Sequence, residues 1–150
     1  FRNPEGGPTN FVPAELTHDQ VREVNAMIHV ENELIDEAVG RVLSVMDDSG
    51  RRASTDVLFT SDHGELQGDF GLLFKGPYHV TSLMRIPLIW APAADAGGAA
   101  AVVAEPVGHQ DLAPTFCAIA GLPVPTWMDG CPLPLHAGSD RERVITTFDS

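Results

Sequence analysis

Basic residues are scarce in this 150-residue chain: nine Lys and Arg stand against 21 Asp and Glu, for a formal charge of −12. So negative a surface excludes a nucleic-acid phosphate backbone or an anionic membrane surface as the main partner, because like charges repel across the whole encounter. An anionic small molecule would need positive charge concentrated locally, from a metal or a placed Lys. Cysteine is nearly absent as well. Cys117 and Cys131 form neither a pair with metal-ligand spacing nor a disulfide framework, and each is expected to be a small buried apolar residue. No run approaches the roughly 18 apolar residues of a membrane span. An initiator Met is missing too, and Phe1-Arg2-Asn3-Pro4-Glu5 resembles no signal peptide, so the chain reads as the interior of a longer polypeptide. Nothing in the composition bears on compartment or oligomeric state.

What is present is a globular composition, 43% hydrophobic and 20% charged, enough for one modest domain or part of one. Residues 1–16 carry Pro4, Gly6, Gly7, Pro8 and Pro13 and are expected to form an irregular leading segment. Thr17 with Gln20 makes a capping box, and Val21, Val24, Ile28, Ile35, Val39, Val42, Leu43 and Met46 follow at helical spacing until Ser49-Gly50. One long amphipathic helix is predicted there. Short apolar strands are expected at 55–60, 85–90, around 102–103 and at 143–148, with a helix at 111–120 that Asp111 opens and Gly121 ends. Alternation of helices and short apolar strands over 17–148 predicts an α/β layered fold with a largely buried sheet.

In such folds ligands gather beyond the carboxyl ends of strands. The polar cluster Asp62-His63-Gly64-Glu65 stands there, directly after the first predicted strand. An Asp and a His on adjacent residues can both face one divalent cation, as hard oxygen and imidazole nitrogen donors. They can equally form a strand-end turn in which Asp62 caps backbone amides and His63 is solvated, and for the dipeptide alone that reading is the better one.

The longer string decides between them. Thr60-Ser61-Asp62-His63-Gly64-Glu65 runs into Gly68-Asp69-Phe70-Gly71-Leu72, then Lys75-Gly76, His79 and Arg85-Ile86-Pro87-Leu88-Ile89. This ordered series resembles the sulfatase family of the alkaline phosphatase superfamily, near its arylsulfatase and phosphonate monoester hydrolase members. Two flanking stretches are similar to family segments too: Asp36 to Leu43 in the long helix, and His109-Gln110-Asp111-Leu112-Ala113-Pro114-Thr115 with Ala120-Gly121.

The resemblance implies the later part of an alkaline-phosphatase-like three-layer α/β/α sandwich and a sulfuric ester hydrolase as parent. It implies that Asp62 and His63 ligate a divalent metal, calcium foremost with magnesium or manganese as alternatives. It also implies that Lys75 contacts oxygens of a small anionic sulfate ester, and that His79 donates a proton or a hydrogen bond at the leaving group. Phosphonate monoester or phosphodiester hydrolysis is the rival chemistry, and a non-catalytic remnant or binding module the rival class. The family's nucleophile is a formylglycine made from a (Cys/Ser)-x-Pro-x-Arg motif upstream, and neither Cys here lies in such a motif. Glu65 and Asp69 are expected to be structural or solvated, Asp111 to cap its helix, and Arg85 to pair with a carboxylate.

Overall fold

The computed structural model describes residues 16–96, 100 and 102–133. Residues 1–15 of the predicted irregular start, residues 97–99 and 101, and the strand expected at 143–148 lie outside the described residues. The chain divides into two units, Phe1–Gly98 and Ala99–Ser150.

In the first unit, α1 spans His18–Asp48. Its start is the capping box read from the sequence: Gln20 N donates to Thr17 Oγ1 at 3.3 Å, and Thr17 N donates to Gln20 Oε1 at 2.9 Å. Two otherwise orphaned amides are thereby satisfied. Ser49 and Gly50 end the helix, Gly50 in the left-handed region at φ 69°. Val21, Val24, Ile28, Val39, Leu43 and Met46 lie half-buried along one side, whereas Leu34, Ile35, Val42 and Val45 stand exposed, and no residue of α1 is fully buried. The expected apolar stripe is thus only partly covered.

A short 3-10 turn over Arg51–Ser54 leads into β1, Val57–Thr60, and β2 is Leu88–Ala91. The two pair antiparallel, Val57 opposite Ala91 and Thr60 opposite Leu88. Both strands begin later than the sequence suggests. Thr55 still closes the 3-10 turn, while Arg85 N donates to Thr81 O at the end of the four-residue helix α2, Thr81–Met84. Pro87 then has no N–H to give a ladder. Trp90 Nε1 donates to Asp56 Oδ1 at 2.8 Å and ties the two strands together by their side chains.

This pair corrects the expectation of a largely buried sheet. Phe59 is 38% and Ile89 61% exposed, and among the described residues there is no three-layer sandwich. An antiparallel pair tolerates one wet face, which a parallel sheet does not. Val102 and Val103 are not in a strand, and Val102 is 90% exposed. Among the described residues no helix is long and apolar enough to cross a membrane.

The core of the first unit is small and sits directly under the polar loop after β1. Leu66, Leu72 and Leu83 are buried, with Tyr78 and Val80 packed against them. Leu66 is fully buried and thereby anchors a loop folded back on itself: Leu66 N donates to Phe74 O at 2.9 Å and Gly68 N to Leu72 O at 2.8 Å.

In the second unit a 3-10 turn at His109–Asp111 precedes α3, Leu112–Ile119. Asp111 and Thr115 are both fully buried. Thr115 Oγ1 donates to Asp111 O at 2.6 Å and accepts from Leu133 N at 2.8 Å, which pins the segment at Leu133 to the helix.

Candidate functional site

Residues that can do chemistry gather where β1 gives way to the turn Ser61-Asp62-His63-Gly64. Ser61 and Asp62 shape this turn locally, as short polar side chains do when they bond the backbone beside them. Ser61 Oγ donates to His63 O at 2.8 Å, and His63 N donates to Asp62 Oδ1 at 3.0 Å. The second of these bonds, to the charged form of the carboxylate, is the main reason the Asp62 carboxyl lies below its ordinary range. A Ser preceding Asp at a strand end is the usual signal for such a turn, and Ser61 supplies it.

Gly64 makes the turn possible by close approach. Its N–H donates to Leu83 O at 2.8 Å, and a Cβ placed on it would stand 1.8 Å from Ser82 O. The backbone of α2 therefore lies against the turn, and only glycine fits.

His63 is held by both ring nitrogens. Nδ1 is 2.8 Å from Gly64 O, a carbonyl that can only accept, so Nδ1 carries the proton. Nε2 is 2.8 Å from Lys75 Nζ, an ammonium that can only donate, so Nε2 presents its lone pair. The same Nε2 lies 3.3 Å from Asp62 Oδ2. With Nδ1 donating and Nε2 accepting, the approach of Nε2 to Asp62 Oδ2 brings two acceptors side by side.

Lys75 reaches His63 from twelve residues along the chain. The folded-back loop accounts for this, since pairing Leu66 with Phe74 brings the residue after Phe74 alongside the residues before Leu66. Gln67, Phe70 and Phe74 all have positive φ in that loop, at 49°, 58° and 65°. For aromatic residues this backbone is strained, and strain of this kind persists only where surrounding structure enforces it. Lys75 is also the chain's sole lysine.

The other candidates separate from this group. His79 is exposed and has no side-chain hydrogen bond or ion pair among the described residues. Glu65 is half-buried, and that burial raises its carboxyl above the usual range against the pull of His63 and Lys75. Arg85 closes α2 and is exposed, with no carboxylate paired to it among the described residues, so the expected ion pair is not found there: the side chain sits where water competes for it. Asp111 stands at the N-cap position of α3 but makes no side-chain bond to the helix's own amides. Its carboxylate instead accepts from Gly108 N at 2.8 Å and Cys131 N at 3.1 Å. Cys117 is half-buried and Cys131 exposed, so neither is the buried residue expected, because Cys131 lies on a surface segment held through its backbone.

No group of three or more His, Cys, Asp or Glu side chains able to hold a metal occurs among the described residues. The pair Asp62 and His63 fits a divalent cation in chemistry and spacing: one carboxylate oxygen and one imidazole lone pair 3.3 Å apart, close enough to reach a common centre.

Comparison with known proteins places this geometry in context. The family described as Sulfatase matches residues 31–122, a stretch that contains β1, the turn, Lys75 and α3. The sulfatase YidJ of Escherichia coli, itself described as uncharacterized, is 36% identical over 99 residues, covering 66% of this chain and 19% of that protein. Arylsulfatase K of Xenopus laevis is 31% identical over 137 residues, covering 91% of this chain and 25% of that protein. The multifunctional alkaline phosphatase superfamily protein PehA of Trinickia caryophylli is 33% identical over 117 residues, covering 78% of this chain and 23% of that protein. The chain thus spans a quarter or less of the length of these relatives. With the family match over most of its length and the ordered motif around Asp62 and His63, the chain belongs to the sulfatase family.

Proposed function

We propose that this chain supplies part of the active site of a sulfuric ester hydrolase: Asp62 and His63 as metal ligands and Lys75 as the cation facing the ester's oxyanion. The observation that supports this best is the convergence of those three side chains at the carboxyl end of β1, with Lys75 Nζ 2.8 Å and Asp62 Oδ2 3.3 Å from His63 Nε2. A divalent cation held there would supply Lewis-acid polarisation of the ester.

The chain's own residues account for the rest. Asp62 is kept ionised by the backbone amide of His63, and so keeps a hard oxygen donor available. His63 is fixed in the tautomer that offers Nε2 by the Gly64 carbonyl, the usual way a ligating imidazole is oriented. Lys75 places an ammonium where negative charge grows on a departing oxygen. His79 is exposed at the end of the same loop region, free to donate a hydrogen bond to a leaving group.

In this reading the formylglycine nucleophile and further metal ligands come from a preceding part of the parent protein, and the three-layer sandwich is completed there as well. The exposed Phe59, Ile89, Leu34 and Val42 are faces such a completion would cover. Sulfate is favoured over phosphonate or phosphodiester because most of the matched relatives carry sulfatase names, and phosphonate monoester or phosphodiester hydrolysis stays the alternative. The test is turnover of 4-nitrophenyl sulfate and of a phenyl phosphonate ester by the complete polypeptide, parental and Asp62→Asn. Loss of metal-dependent sulfate ester cleavage in the variant supports the proposal. A coding sequence that lacks any (Cys/Ser)-x-Pro-x-Arg motif upstream of Phe1 would favour a non-catalytic remnant.

A further inference from the structure

An imidazole in its neutral form has one nitrogen lone pair in the ring plane. In His63 that lone pair is on Nε2, because Nδ1 donates to Gly64 O at 2.8 Å. Lys75 Nζ stands 2.8 Å from Nε2, at the distance of a hydrogen bond from ammonium to imidazole. A metal ligated by Nε2 needs the same lone pair. Lys75 and the cation therefore exclude one another at this atom.

We propose that Lys75 is a built-in occupant of the His63 lone pair, which a divalent cation must displace, so that metal loading and release of the Lys75 ammonium toward an anionic substrate are one coupled event. The inference rests on the metal-site reading above and deepens it. Three features favour it. The chain has a single lysine, and it is at this atom. The loop that presents Lys75 is tied at its base by Leu66 N to Phe74 O, while the Lys75 side chain itself is exposed. Finally, the ammonium at Nε2 offsets the repulsion between two acceptors 3.3 Å apart, His63 Nε2 and Asp62 Oδ2.

Displacement has a consequence for binding. The affinity measured for a metal is the intrinsic affinity of Asp62 and His63 reduced by the bond to Lys75 that must be broken first. Lys75→Met removes that competitor and cannot donate to Nε2, so it should bind manganese more tightly, by about tenfold for a charge-assisted hydrogen bond.

The experiment is a manganese titration of the complete polypeptide, parental and Lys75→Met, followed by paramagnetic broadening of the histidine side-chain signals and by calorimetry. Each protein is titrated at low and at about 0.5 M salt, and the ring nitrogens of His63 are read by ¹⁵N NMR before metal is added. The expected result is tighter manganese binding by Lys75→Met at both salt concentrations, with the His63 Nε2 resonance moved downfield in the variant as its hydrogen bond is lost. A gain present at low salt and abolished at high salt would overturn the inference, since screening removes long-range repulsion but not occupation of a lone pair. Equal or weaker binding by the variant would overturn it too and leave the metal site standing. Absence of His63 broadening in both proteins would overturn the metal-site reading and this inference with it.

Discussion

The Lys75 ammonium and the His63 Nε2 lone pair meet at 2.8 Å across twelve residues of chain, and this one contact joins the two halves of the site. On one side is the strand-end turn that sets Asp62 and His63, and on the other the strained loop that returns from Leu66 to Phe74. A carboxylate, an imidazole and an ammonium are thereby gathered at one point.

Replacing Lys75 by Ala in the complete enzyme should lower kcat on an aryl sulfate by about 10²–10³-fold, the usual loss of one oxyanion contact. Stability should change little, because an exposed loop lysine contributes little to folding. Steady-state kinetics beside a urea titration separates the two effects, and near-parental turnover would remove Lys75 from the reaction.

Gly64→Ala should be far more disruptive than a single methyl suggests. The added Cβ would stand 1.8 Å from the Ser82 carbonyl oxygen, which is backbone and has no rotamer to give way. A cost of about 1–3 kcal/mol or more is expected from overpacking of this kind, together with lost metal affinity as Asp62 and His63 shift. Chemical denaturation with a manganese titration reports both, and an unchanged midpoint would show that α2 yields easily.

Asp111→Ala should destabilise the second unit without touching the chemistry. The carboxylate is fully buried and accepts from Gly108 N and Cys131 N, so its removal strands two amides, at about 1–3 kcal/mol each if water does not replace it. Faster hydrogen exchange at the Cys131 and Leu133 amides is expected, with kcat of the complete enzyme retained in the fraction that folds. A loss of kcat with unchanged exchange would give Asp111 a catalytic role.

Residues 1–150 expressed alone should hydrolyse neither 4-nitrophenyl sulfate nor a phosphodiester, because the step that needs an activated covalent nucleophile has no residue here to perform it. Calcium or manganese should bind only weakly, since two protein donors leave most of the six or more positions around a hard cation to water. Metal-dependent turnover above an Asp62 and His63 double variant would reveal a nucleophile within this chain.

The sequence alone determined whatever depends on neighbours along the chain. The capping box at Thr17 and Gln20, the helical spacing after it, and a short strand running into Asp62-His63-Gly64 were all legible, because caps and amphipathic patterns involve residues three or four apart. Motif order was equally legible and pointed to the family. The tertiary structure decided what depends on segments meeting: that β1 and β2 run antiparallel with an exposed face, that the strand at β2 waits until Pro87 is passed, and that Asp111 serves the amides of Gly108 and Cys131 and not those of α3. It also decided that Lys75, and not His79, closes on His63. The physical reason is that a hydrogen bond between residues twelve or twenty apart depends on how the intervening loop folds back: the polar, Gly-containing stretch around Leu66 announces a turn, but only the burial of Leu66 and its pairing with Phe74 set where the chain returns.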